Sequence, residues 1–260
     1  MDSYNIYGDM WGDPTAEEQM WDLRSMPLDE DQIRNLHSTP LHDAVHNRDL
    51  RLTQQLLNNG ADIHLRDDQA RDALQAAVIV SNNTEVIQCL LDNGANVNAA
   101  EGAHGTALQQ AARDGDENVV QLLLDHGAQI GRFDLSLQYA AETGREDIVR
   151  TLLQYGADVN GGDEFSMYGY PIEAAAHYGS EPVVRMLLDA GADVNAQGGY
   201  HGNALQAAAR YGRVRLVHML LEAGADVNAQ GGVYKNALES ATKRGHGEVA
   251  EILLAAGARL

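Results

Sequence analysis

Cysteine occurs once in this 260-residue chain, and lysine, phenylalanine and tryptophan occur twice each. The lone Cys89 cannot close an internal disulfide, and nothing points to an oxidising compartment. Its setting, Val86-Ile87-Gln88-Cys89-Leu90-Leu91, reads as helical core rather than as a reactive thiol. No run approaches the roughly 18 consecutive apolar residues of a membrane-spanning helix. Met1-Asp2-Ser3-Tyr4 begins neither a basic region nor an apolar run, so it does not read as a signal peptide. Positive charge is scarce: 18 Lys+Arg face 38 Asp+Glu, for a net charge of −20. Nucleic acid is therefore a poor partner, because phosphate binding needs a basic footprint. Anionic membrane surfaces are disfavoured for the same reason. P-loop, Gly-x-Gly-x-x-Gly, His-Glu-x-x-His and Cys-x-x-Cys motifs are missing. The expectation is an intracellular protein, cytoplasmic or nuclear, with no cofactor and no metal.

What is present is repetition. Gly-Ala follows a Leu-Leu pair at Gly60, Gly94, Gly127, Gly156, Gly191, Gly224 and Gly257, at intervals of 29 to 35 residues. Most copies precede Asp/Asn-Val-Asn. A fixed period of this size indicates a solenoid or similar array, in which each unit packs only on its neighbours. Residues 203–225 show the unit. Leu205, Ala208 and Ala209 make the apolar stripe of a short first helix, and Gly212 ends it in the left-handed conformation. A second helix is expected to bury Val214, Val217, Leu220 and Leu221, with Gly224 just past its end. Ala225 to Gly232 then forms a turn-rich finger leading to the next unit. The frame starts near residues 39, 72, 106, 135, 170, 203 and 236, with spacings of 33, 34, 29, 35, 33 and 33.

Thr39-Pro40-Leu41-His42-Asp43-Ala44, together with the recurring Leu-Leu-x-x-Gly-Ala-x-x-Asn, closely resembles the ankyrin repeat. Other units depart from it. Ala-Leu-Gln replaces Pro-Leu-His at 73–75, 107–109 and 204–206, a variant similar to arrays common in fungal proteins. Unit four carries Ser136-Leu137-Gln138, unit five Pro171-Ile172-Glu173 and unit seven Ala237-Leu238-Glu239. The resemblance covers residues 38–260 and implies an all-α solenoid of about seven helix-turn-helix units with projecting fingers. It further implies a concave face of fingers and first helices, and a convex back of second helices. His42 and His46 stand at i, i+4, a spacing that could hold a metal, but the resemblance gives His42 a hydrogen bond between adjacent fingers.

Residues 1–37 lie outside the repeat and hold nine acidic and two basic residues, with both tryptophans, Trp11 and Trp21. Thr15-Ala16-Glu17-Glu18 is a capping-box pattern, predicting a helix over about 16–25. The segment reads as a helical cap on unit one, or as an acidic arm that folds into the groove or onto a partner. The chain stops three residues after Gly257 without a polar capping unit; Glu248 and Glu251 supply some solvated face on the last helix, or Val249, Ile252 and Leu253 face a partner or a second copy.

In the ankyrin family the variable contact positions are the finger tips and the two residues before the inter-helix glycine. Here these include His177/Tyr178, Arg210/Tyr211 and Lys243/Arg244, with tips at Gln69, His104, Phe133, Met167/Tyr168, Tyr200/His201 and Tyr234/Lys235. Tyr168, Tyr170, Tyr178, Tyr200, Tyr211 and Tyr234 concentrate on units five to seven, and tyrosine is a frequent interface anchor. The bland alternative is packing between neighbouring fingers. Arg210, Arg213, Arg215, Lys235, Lys243 and Arg244 make residues 210–244 basic inside an acidic chain, suited to a carboxylate- or phosphate-bearing partner or to the acidic N-terminal segment. The 29-residue interval shortens one finger beside the long 161–169 finger, predicting a notch walled by Phe133, Phe165, Met167 and Tyr168, or a loop collapsed into the gap.

The expected function is a non-enzymatic protein-interaction scaffold that binds a partner on the concave face, mainly at units four to seven. The alternative is a small-molecule site or a metal-free acid–base enzyme of isomerase or cyclase type in the same groove. Its candidate groups are His177, Tyr178, His201, Arg210 and Tyr211.

Overall fold

The computed structural model describes residues 40–67, 70–80, 84–99, 105–131, 135–162 and 166–259. The expectations for residues 1–37, for Gln69 and His104, and for Phe133 and Phe165 lie outside these segments.

Among the described residues the chain forms fourteen helices and no strand; a single isolated antiparallel bridge joins Gly198 and Gly202. First helices are α1 (Pro40–His46), α3 (Ala73–Ile79), α5 (Ala107–Asp114), α7 (Ser136–Thr143), α9 (Pro171–Tyr178), α11 (Ala204–Arg210) and α13 (Ala237–Arg244). Each pairs with the helix that follows it: α2 (Leu50–Asn58), α4 (Thr84–Asp92), α6 (Glu117–Asp125), α8 (Glu146–Gln154), α10 (Glu181–Asp189), α12 (Val214–Glu222) and α14 (Gly247–Ala255). First helices stack on first helices and second on second, so every contact layer joins sequence neighbours. No helix among the described residues is long and apolar enough to cross a membrane.

One hydrophobic cluster runs from Leu41 to Leu253. First helices contribute mostly alanine, such as Ala174, Ala175 and Ala176, which lets neighbouring backbones approach closely. Second helices contribute branched residues, such as Ile148, Val149 and Leu152. In α12 the residues fully inside are Leu216, Val217 and Leu220, while Val214 and Leu221 are only half-buried. Val214 and Leu221 thus lie at the edge of the expected stripe rather than inside it, because the buried face of α12 is turned toward Leu216. Cys89 is buried in α4, with its thiol 3.1 Å from Gln54 Oε1.

Capping explains the Ala-Leu-Gln variant. Asp72 accepts from the Gln75 amide and Gln75 Oε1 accepts from Asp72, a reciprocal box repeated by Thr106 and Gln109. The same Gln75 side chain donates through Nε2 to the carbonyls of Ala99 and Gly105 on the next finger. Gln206 does likewise to Ala229 at 3.0 Å. His42 Nε2, 3.1 Å from the Arg71 carbonyl, occupies this tethering role in unit one. Glutamine therefore replaces the motif histidine without losing the inter-unit bond, and adds a cap.

The Asp/Asn-Val-Asn triplet staples the fingers. Asp193 folds its carboxylate onto the Asn195 amide at 2.9 Å. That turn aims Asn195 at the next unit, where it donates to the Gly224 carbonyl and accepts from the Asp226 amide at 2.7 Å. Asn98, Asn160 and Asn228 repeat both bonds. Gly131 occupies this position in unit three and has no side chain to make them; His64 stands there in unit one.

Candidate functional site

The finger tips of units four to six are joined by backbone bonds. The Tyr200 amide donates to the Met167 carbonyl at 2.8 Å, and the Val233 amide to the Tyr200 carbonyl at 3.0 Å. This line requires glycine at Gly199, where φ is +63° and a Cβ would stand 2.7 Å from the Gly169 nitrogen. The residues before the α9 and α11 glycine turns rise beside these tips, and one continuous set of rings results.

His177 is its hub. Ring centroids lie 5.0 Å away for Tyr168, 4.5 Å for Tyr178, 4.9 Å for His201 and 4.5 Å for Tyr211. The Tyr168 and Tyr178 hydroxyls are 2.8 Å apart, and Tyr178 donates to Glu142 Oε1 at 3.0 Å. Tyr178, Tyr200 and Tyr211 keep 44%, 44% and 37% of their surface exposed, so the strip presents ring faces to solvent while its edges are fixed.

Beneath the rings the groups are buried and ionisable. His177 Nδ1 and His201 Nε2 are 2.8 Å apart, sharing one N–H···N bond. Burial holds both imidazoles below their usual range, His201 to about 4, with further lowering from Arg210 on each. Both are therefore neutral near pH 7. Glu173 is 1% exposed, and its Oε1 accepts from the His201 backbone amide. Burial raises its carboxyl to about 8, so it is largely protonated at neutral pH. Burial also raises the Tyr178 phenol, helped by its bonds to Tyr168 and Glu142. Arg210 is 8% exposed, with its guanidinium carbon 5.2, 5.8 and 5.0 Å from the ring centres of Tyr200, Tyr211 and Tyr234.

A family model described as ankyrin repeats (3 copies) matches residues 41–134, 106–163, 137–231 and 172–260. The chain belongs to the ankyrin-repeat family. The crystal structure of the human ASB11 ankyrin repeat domain is similar, with a TM-score of 0.72 and 26% identity over 85% of this chain and 99% of that one. The ankyrin repeat domain of Bcl-3, an IkappaB family member, gives a TM-score of 0.67 and 30% identity over 83% of this chain and 98% of that one. A sequence named probable E3 ubiquitin-protein ligase XBOS34, from Oryza sativa subsp. japonica, is 42% identical over 71 residues, 26% of this chain and 14% of its own length. The chain spans at most 16% of the length of the curated relatives it matches. Ankyrin-repeat domains in general mediate protein–protein interaction.

Within the ankyrin array, Tyr168, His177, Tyr178, Tyr200, His201, Arg210, Tyr211 and Tyr234 come together as one cluster. His201 and Arg210 differ from their expected exposure: His201 is 3% exposed and holds its neighbours rather than offering a surface. Tyr170 stands apart as the residue capping α9, half-buried against the core. Met167 is 59% exposed. Lys235, Lys243 and Arg244 are exposed. Arg213 and Arg215 are engaged: Arg213 donates to the Tyr178 carbonyl, and Arg215 lies 3.8 Å from Glu181. Tyr168 turns toward Tyr178, which is the finger-packing alternative for that ring. Glu173 was visible in sequence only as a departure from glutamine; the signal was its place at the tethering position.

Proposed function

We propose that this array is a non-enzymatic interaction scaffold whose protein partner engages the concave face, mainly at units four to seven. The observation that carries this reading is the exposed strip of Tyr178, Tyr200 and Tyr211 on a pre-ordered base. Large aromatic surfaces give affinity when their rotamers are already restricted, because little entropy is lost on binding. Here ring contacts and tip-to-tip backbone bonds restrict them before any partner arrives. The family's general use of the fold supports the same reading.

One observation favours the second reading, acid–base chemistry on a small molecule: the neutral His177–His201 pair beside Arg210. Against it, each imidazole already spends one ring nitrogen on the other, and His201 is buried. Two surface depressions of about 390 and 500 Å³ lie elsewhere, at the turns that start α8 and α10.

The test is affinity capture from a native lysate with three forms of the intact chain. These are the wild type, a Tyr178→Ala/Tyr211→Ala variant of the strip, and an Arg150→Ala variant on the exposed face of α8. A protein retained by wild type and Arg150→Ala but lost by the strip variant is the expected result. Retention that ignores the strip variant sinks the assignment of the face. A co-purifying small molecule with no protein transfers support to the second reading.

A further inference from the structure

Arg210 is the one cation of the strip that is more than nine-tenths buried, and two of its nitrogens, Nε and Nη1, have no hydrogen-bond partner among the described residues. Nor does any carboxylate of those residues pair with it. A buried guanidinium without an anion is costly, and ring faces compensate only in part. The three tyrosines around it supply such faces, yet their hydroxyls and rings leave N–H donors unused. An arrangement of this kind is satisfied when an acceptor arrives from outside.

We propose that the Arg210 cage is a carboxylate-binding subsite, taking an aspartate or glutamate side chain of the segment that lies along this face. This rests on the scaffold reading. The charge count selects the anion. The ionisable groups that interact with it are Tyr200, Tyr211 and Tyr234 and the imidazoles of His177 and His201, and both imidazoles are neutral at pH 7. The buried site therefore presents one positive charge, matched by a monoanion rather than by a phosphate carrying nearly two negative charges. The exposed Arg244, whose charge reaches His201, adds attraction from outside the cage. Entry is through the exposed side, where Tyr200 and Tyr211 are 44% and 37% accessible and a ring edge can swing aside. Carboxylate bound there replaces ring contact with charge-assisted hydrogen bonds to donors that now have none.

The experiment follows the Arg210 Nε–Hε resonance in the intact chain labelled with nitrogen-15 arginine. The signal is assigned by its loss in Arg210→Lys. The probes are Ac-Ala-Glu-Ala-NH2, Ac-Ala-Gln-Ala-NH2 and inorganic phosphate, at equal ionic strength. The glutamate peptide is expected to give a saturable shift, the glutamine peptide none, and phosphate a weaker response. Arg210→Lys, shown folded by an unchanged hydrogen-exchange pattern, should weaken glutamate-peptide binding about tenfold, read from amide shifts of Tyr200 and Tyr211 in uniformly nitrogen-15-labelled samples of both forms. Arg150→Ala, on the exposed face of α8 and away from the cage, should keep the response. Equal shifts from both peptides, a stronger response to phosphate, or no response at all would overturn the subsite. If that happens while lysate capture still depends on Tyr178 and Tyr211, the scaffold reading survives alone. A glutamate-specific shift with no captured protein keeps the carboxylate site but overturns its occupant as a segment of a protein partner.

Discussion

Glu173 shows how one residue couples the site to pH. Its neighbours at the same position are glutamines that donate to the next finger; a carboxylate cannot donate, but a protonated carboxyl resembles the amide. In the unfolded chain Glu173 titrates near 4.5, and in the fold near 8. Between those values the folded state holds a proton that the unfolded state has released, so stability falls as pH rises through this window. The His177–His201 pair acts in the opposite sense. Its folded imidazoles resist protonation, so its contribution is present above pH 6.5 and is lost as pH falls toward about 4. Glu173→Gln should therefore stabilise the protein more at pH 8 than at pH 5, by roughly 3–4 kcal/mol of difference, while leaving the acid limb unchanged. Urea unfolding at the two pH values measures this. An equal effect at both would mean that Glu173 is ionised throughout.

At the scale of elements, the fingers decide how firmly units are joined. The asparagine staple contributes two hydrogen bonds at each of four joints, and each bond is worth about 0.5–1.5 kcal/mol net. Asn195→Ala should cost about 1–2 kcal/mol in a thermal or urea melt. Gly131 offers the converse test. Its φ lies outside the left-handed region, and a Cβ there would meet nothing within 4 Å. Gly131→Asn should stabilise the joint between units three and four by about 1 kcal/mol, if the shortened finger still brings Gly156 within reach. An unchanged melt would show that the finger sits too far away. The first helix of unit four is also weak on its own account, because Leu135 provides no side-chain cap.

At the scale of the molecule, the main helix contacts among the described residues join neighbouring units, so stability is a sum of units and joints rather than of one core. Unit four combines a joint without a staple with a first helix without a side-chain cap. Hydrogen exchange should show residues 136–159 less protected than residues 171–221. Equal protection would place the weak point elsewhere. Units five to seven, by contrast, carry staples and linked finger tips, units six and seven also side-chain caps on their first helices, and these stiffen the surface proposed for binding.

The repeat period, the helix pairs and the tyrosine-rich end were all readable from the chain itself. Helix periodicity and the glycine turn are local, and in a solenoid the local unit recurs unchanged. The positions of Tyr178 and Tyr211 followed from their place before the turn glycines Gly179 and Gly212. What the sequence could not show was depth. His201 and Arg210 read as surface residues of a finger and a helix end, yet both are covered by the following unit and its rings. Glu173 was one letter away from glutamine, and its buried, protonated state depends on a neighbouring finger's backbone closing over it. Burial is a property of two units in contact. Only the tertiary structure therefore decided which of the groove residues present exposed rings and which are the buried groups that hold them.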